Sequence, residues 1–204
     1  MAMTFATSNT LLGTMQPKGR TAQVLTALAV AFLGSILLAV SAKVNVPTWP
    51  VPVTLQSMAV AAIAAAFGAR VGVATVALYI AQGLAGLPVF AGAFAGPAYL
   101  FGPTGGFILA WLVMAAIIGH AADRGLSRRF LPLFAAMLIG GAVQFAAGFA
   151  WLLLMSGQAG WIDPANPVLS AYRGAVEPFV IWDMVKFAFA AITVVGGWAL
   201  LKRD

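Results

Sequence analysis

Residues 179–201 read FVIWDMVKFAFAAITVVGGWALL, an apolar run long enough to cross a bilayer that nonetheless carries an acid and a base, Asp183 and Lys186. Each such group at a helix centre in hydrocarbon costs roughly 2.5–3.5 kcal/mol, so they are expected to face a bundle interior or a wet cavity rather than lipid. The i, i+3 spacing sets both on one helical face, where they can share a charge or a proton. The plainer alternative is a structural ion pair between packed helices.

The rest of the chain supports a membrane setting. Of 204 residues, 62% are hydrophobic and 8% charged, against roughly 45–50% and 25% in soluble domains. The fold class expected is an all-α integral membrane protein. The formal charge of +6 would suggest nucleic acid in a soluble chain, but the basic residues stand between apolar runs and never interleave with aromatics. With no cysteine there is no disulfide or thiolate chemistry, and the single His120 cannot build a His-rich metal site.

Six apolar runs are long enough to be spans: 22–42, 52–68, 71–87, 105–123, 130–156 and 179–201. The second and third are short and joined by GARVG, so four or five spans with a re-entrant segment is the alternative. Six spans place Lys18, Arg20, Arg70, Arg124, Arg128, Arg129, Lys202 and Arg203 on one side and only Lys43 and Arg173 on the other. The positive-inside rule then predicts both termini cytoplasmic in a plasma (inner) membrane, with residues 1–21 an uncleaved tail and 22–204 a single six-helix domain.

The outer connections are unusual. Residues 43–52, KVNVPTWPVP, hold three prolines and are expected to be extended and stiff. Residues 88–104 are rich in glycine and proline yet apolar, which suits a loop packed over the bundle as a lid. Residues 157–177 read as a longer polar loop. Small-xxx-small spacings occur at Ala62/Ala66, Ala115/Gly119 and Ala146/Ala150, and also at Ala27/Ala31 in the first run.

Counting 1.5 Å per residue from each helix end puts Asp183 about 8 Å, Lys186 about 12 Å, Gln144 about 9 Å, Gln82 about 12 Å and Gln56 about 6 Å below the outer boundary. Four helices thus bring their strongly polar side chains to one layer, which predicts an outward-opening pocket. Carboxylate, ammonium and amides suit a small ligand with hydrogen-bonding and anionic ends, while Tyr79, Phe90, Tyr99, Trp49 and Trp182 are candidates to pack its apolar part. Catalysis has little support: His120 lies at the other end of its helix, the serines have no adjacent base, and there is no Walker-type loop. A lipid-modifying enzyme or a purely structural subunit is the rival class.

Four strings in order resemble one family. PVPVTLQS at 50–57, YIAQGLAGLPVF at 79–90, GPTGG at 102–106 and the D-x-x-K of Asp183 and Lys186 are similar to BioY, the biotin-specific substrate-binding (S) subunit of energy-coupling factor transporters. The likeness runs from the first helix nearly to the end. It implies a six-helix, cofactor-free subunit that captures biotin from outside and joins two cytoplasmic ATPases and a transmembrane coupling subunit. Asp183 and Lys186 match the family's biotin contacts, and Ala27 and Ala31 its small residues facing the coupling subunit. Phe107 stands where tyrosine is common, and Trp182 where a small residue is common. An S subunit for another vitamin, or a carrier working without the ATPases, is the alternative.

Overall fold

The structure, a computed structural model, describes residues 7–15, 17, 19–155 and 160–201. Of the basic residues used for orientation, Lys18, Lys202 and Arg203 lie outside the described residues, as do 157–159 of the long loop. The short α1 (Leu11–Thr14) is capped by Thr10, whose Oγ1 accepts from Gly13 N at 3.2 Å, and α2 (Arg20–Ser41) follows. Residues 45–54 form a hairpin, with β1 (Asn45–Val46) antiparallel to β2 (Val53–Thr54) and the prolines in the turn. They make no helix, since Pro lacks the amide donor and fixes φ.

Next come α3 (Gln56–Phe67) and α4 (Ala69–Leu84), separated only by Gly68. Its φ of +86° is open to glycine, and a Cβ there would strike the Asp123 carboxylate. That carboxylate accepts from Ala69 N at 3.2 Å, capping α4 from another helix. The chain continues through α5 (Pro97–Leu100), α6 (Gly105–Asp123), α7 (Phe130–Leu154), α8 (Pro167–Ala175) and α9 (Val180–Leu201). All six predicted runs are helical. Among the described residues, four stretches are long and apolar enough to cross a membrane: Arg20–Ser41, Gly105–Asp123, Phe130–Leu154 and Pro167–Leu201. The 12-residue α3 and 16-residue α4 rise only about 18 and 24 Å, less than a hydrocarbon core.

The alanine-rich α3 is buried along most of its length, with Ala61, Ala64 and Ala65 at 0% exposure, and it packs against α6, α9 and α4. Small side chains let neighbours approach closely where no water drives association. Gly119 of α6 sits on the Gly68–Ala69 backbone, and Gly72 of α4 meets Ala64. The outward faces of α2 and α9 carry exposed Leu25, Phe32, Leu33, Ile181, Phe189 and Ile192, which suits helices facing lipid.

The connections at the hairpin end pack down on the bundle. Phe90 is fully buried, stacked on Tyr99 at 4.7 Å and edge-on to Tyr79 at 5.5 Å. Lys43 Nζ donates to Pro88 O and Phe90 O, each at 2.8 Å, tying the hairpin's entry to this segment. The predicted polar loop at 157–177 is corrected by α8, which begins Asn166-Pro167 with proline in its first turn and packs Ala171, Gly174 and Ala175 inward.

Candidate functional site

Asp183 enters on the first turn of α9, where the helix dipole favours a carboxylate, and Lys186 follows one turn on. Both are buried, at 1% and 8% exposure, and Lys186 Nζ lies 2.7 Å from Asp183 Oδ1. Ser57 Oγ of α3 donates to the same oxygen at 3.0 Å, and Gln144 Nε2 of α7 donates to Oδ2 at 2.9 Å. Gln144 is itself oriented by Trp111 of α6, whose Nε1 donates to Gln144 Oε1 at 2.7 Å. Helices α3, α6, α7 and α9 therefore meet on one carboxylate. With three donors it is close to saturated, whereas the ammonium has used one of its three N–H groups.

Beside this network Gln56 is 3% exposed and held from two sides. Its Nε2 donates to Tyr79 Oη at 2.6 Å, and Thr54 Oγ1 donates to its Oε1 at 3.2 Å. Tyr79 Oη in turn donates to Val89 O at 3.3 Å. Thr54, Gln56, Ser57, Trp111, Gln144, Asp183 and Lys186 line a narrow chamber of about 40 Å³, whose apolar wall includes Val51, Pro52, Phe107, Ile108 and Phe179. That volume holds a few waters and is well below the roughly 300–1,000 Å³ of small-ligand pockets, so a ligand of that size needs the chamber to widen.

The structure brings Gln56, Gln144, Asp183 and Lys186 to this one chamber. Gln82 is elsewhere: its Nε2 donates to Ser35 Oγ of α2 at 3.1 Å, bridging two helices away from the chamber lining. Depth along a helix was the only basis for including it, and depth leaves azimuth free. Tyr79 and Phe90 stand behind the wall, supporting Gln56 and Tyr99, and do not line the chamber. Trp49 and Trp182 are 76% and 61% exposed and border clefts beside the hairpin. Ala27 and Ala31 are 7% and 4% exposed, because the small-residue face of α2 packs against α4 within the chain; they form the wall of an apolar groove with Leu28, Val73 and Ala116. Ser57, Thr104 and Trp111 belong to the lining and were missed, although Ser57 adjoins Gln56 and Thr104 stands within GPTGG.

An ion pair, two oriented amides and an apolar wall meet inside a bundle with several membrane-length helices, the make-up of a small-ligand site in a multi-pass membrane protein. The chain belongs to the BioY family, whose sequence pattern matches residues 12–203. It is 34% identical over 170 residues to "Biotin transporter BioY2" of Lactococcus lactis, covering 83% of this chain and 87% of the relative. To the probable biotin transporter BioY of Pyrococcus horikoshii it is 34% identical over 156 residues, covering 76% and 86%. It shares its fold with the crystal structure of the S-component for biotin from an ECF-type ABC transporter, at a TM-score of 0.75 and 21% identity over 91% of this chain and 95% of that one. These relatives are transporters, and the chain is not an enzyme.

Proposed function

We propose that this chain is the biotin-capturing S subunit of an energy-coupling factor transporter, crossing the membrane six times with both termini cytoplasmic and its hairpin end outside. The observation that carries the site is the chamber in which Asp183, Lys186, Gln144 and Gln56 converge among apolar walls. A ureido ring offers two N–H donors and one carbonyl acceptor; Lys186 supplies the unspent donor, and Asp183 with the amide oxygens supplies acceptors. In this reading α3 and α4 span by joining the longer helices in a locally thinned or protein-lined region. Transport requires cytoplasmic ATPases and a transmembrane coupling subunit, the latter meeting the chain at the groove walled by Ala27 and Ala31 through its exposed rim at Leu28.

Titrating purified protein with biotin and a panel of other vitamins tests the proposal. Biotin is expected to bind and the others not; selective binding of a different vitamin removes the biotin assignment. Uptake assays with and without the ATPase partners separate an S subunit from a carrier working alone. Trp111→Phe keeps an aromatic but smaller side chain in the lining and deletes the N–H that orients Gln144, so biotin affinity is expected to fall at least several-fold, in line with one neutral hydrogen bond of about 1 kcal/mol. Isothermal titration reads this directly, and unchanged affinity would detach Gln144 from the ligand.

A further inference from the structure

At the end of α6 far from the chamber, the turn into α7 reads RGLSRR over residues 124–129, and Arg124, Arg128 and Arg129 are all exposed. Both flanking helices are long and apolar enough to cross a membrane, so the turn stands at a bilayer face. A hydrocarbon core of about 30 Å within a total thickness of about 40–45 Å leaves a headgroup layer roughly 5–8 Å deep on each side. The turn is compact: Gly125 takes a left-handed φ of +83°, and Leu126–Arg128 form a single 3₁₀ turn directly before α7. Its guanidiniums therefore stay at the level of the lipid phosphates.

The adjoining acid is committed elsewhere. Asp123 accepts from Thr7 Oγ1 at 3.1 Å and from Ala69 N at 3.2 Å, and neither Arg124 nor Arg129 enters an ion pair among the described residues. Arg128 is held ready from two sides. Its guanidinium carbon lies 4.6 Å from the centre of the Trp198 ring, and its Nη2 donates to Asn9 Oδ1 at 3.5 Å. Both supports are themselves fixed, since Trp198 Nε1 donates to the buried Ser127 Oγ at 3.1 Å and Asn9 Nδ2 to Asp123 O at 3.1 Å. Of the guanidinium's five N–H donors most are unspent, in a fork that matches a phosphate group. Apolar side chains flank the cations: Leu126 is 39% and Leu131 74% exposed. A soluble anion gives those leucines nothing to enter, whereas a lipid supplies acyl chains beside its phosphate.

We propose that the α6–α7 turn is a binding site for phospholipids of net negative charge, with the arginines on the phosphate and Leu126 and Leu131 among the acyl chains. Arg128 makes the forked contact, and Arg124 and Arg129 add attraction from either side of it. A zwitterionic lipid offers the same phosphate but carries its own cation, which three guanidiniums repel; a lipid without that cation is selected. The bound lipid also gains a structural role, because Arg128 rests on Trp198 of α9 and on Asn9 of the N-terminal segment. None of this depends on which small molecule enters the chamber, which α6 lines at its opposite end through Phe107, Ile108 and Trp111.

Native mass spectrometry of the chain released from nanodiscs of equimolar dioleoylphosphatidylglycerol and dioleoylphosphatidylcholine counts the lipids it keeps. The wild-type chain is expected to keep phosphatidylglycerol over phosphatidylcholine by at least about fivefold, the preference that a single Lys or Arg near a membrane surface supplies. Replacing Arg124, Arg128 and Arg129 together by Gln should bring the ratio close to parity. The Arg124→Gln and Arg129→Gln pair spares the Arg128–Trp198 contact, so it keeps the fold's own tie and should still lower the ratio. Arg173→Gln, on α8 at the hairpin end, should leave it unchanged. Parity in the wild-type chain, or a preference that survives the triple variant, overturns the site. Excess orthophosphate should not displace the retained lipid; displacement would make the turn a free-anion site and overturn the lipid assignment.

Discussion

Lys186→Met is expected to weaken biotin binding at least about thirtyfold and to lower the melting temperature in detergent, whereas Asp183→Asn combined with Lys186→Met recovers most of the stability and none of the lost binding. Removing one partner of a buried pair leaves the other charge unpaired, typically at about 3–5 kcal/mol, while replacing both with neutral groups of similar volume is often neutral or stabilising. In the double variant the asparagine's amide oxygen would still accept from Ser57, which donates to Asp183 at 3.0 Å in the native chain. Truncating a buried hydrogen-bonded charge at an interface generally costs about 2–5 kcal/mol of binding, so affinity should fall by at least about thirtyfold in each single variant. Titration calorimetry and thermal unfolding on the same preparations separate the two effects. A double variant that binds biotin like wild type would reduce Asp183 and Lys186 to a structural pair.

Gly119→Ala is expected to destabilise the chain by about 2 kcal/mol, and Gly196→Ala to leave it unchanged or slightly firmer. At position 119 a Cβ falls on the backbone of Gly68 and Ala69, which no rotamer change can relieve. Overpacking typically costs about 1–3 kcal/mol and should reach the upper end where backbone meets backbone, whereas the gain in helix propensity from Gly to Ala is about 1 kcal/mol. A Cβ at Gly196 meets nothing, so only the propensity gain remains. Thermal unfolding in one detergent checks both, and equal stability of the two variants would mean that α4 and α6 do not cross as closely as described.

Much of the architecture was legible because hydrophobic length announces a membrane helix directly: all six runs became helices, and Asp183 with Lys186 pointed inward as their desolvation required. Gln56 and Gln144 followed from depth alone. Gln82 did not, since position along a helix says nothing of the side facing the chamber. Ser57 and Thr104 were hard to see for a related reason. Helical hydroxyls commonly bond to their own backbone, as Ser41 does to Leu38 O and Thr75 to Val71 O, both at 2.8 Å, so a Ser or Thr in a sequence gives no sign of being free for a ligand. Ala27 and Ala31 carried a spacing that cannot distinguish packing within the chain from packing against a partner. The 157–177 connection looked polar because α8 is short, although the Asn-Pro at its start was a readable sign.

The two ends of the bundle are fastened differently. Away from the hairpin, polar ties run between distant parts of the chain: Thr7 Oγ1 and Ala69 N both donate to Asp123, Asn9 Nδ2 donates to Asp123 O, Trp198 Nε1 donates to Ser127 Oγ, and the Arg128 guanidinium sits 4.6 Å from the centre of the Trp198 ring. At the other end the hairpin's Val51 and Val53 are packed with Phe107, Leu152, Ala171 and Phe179 in a separate apolar cluster, with the Lys43 bonds to Pro88 O and Phe90 O at the hairpin's entry. Directional bonds resist shear, and a greasy contact slides. In the proposed function a guest would pass the hairpin's apolar cluster, where packing can slide, and not the opposite end held by the Asp123 and Trp198 ties.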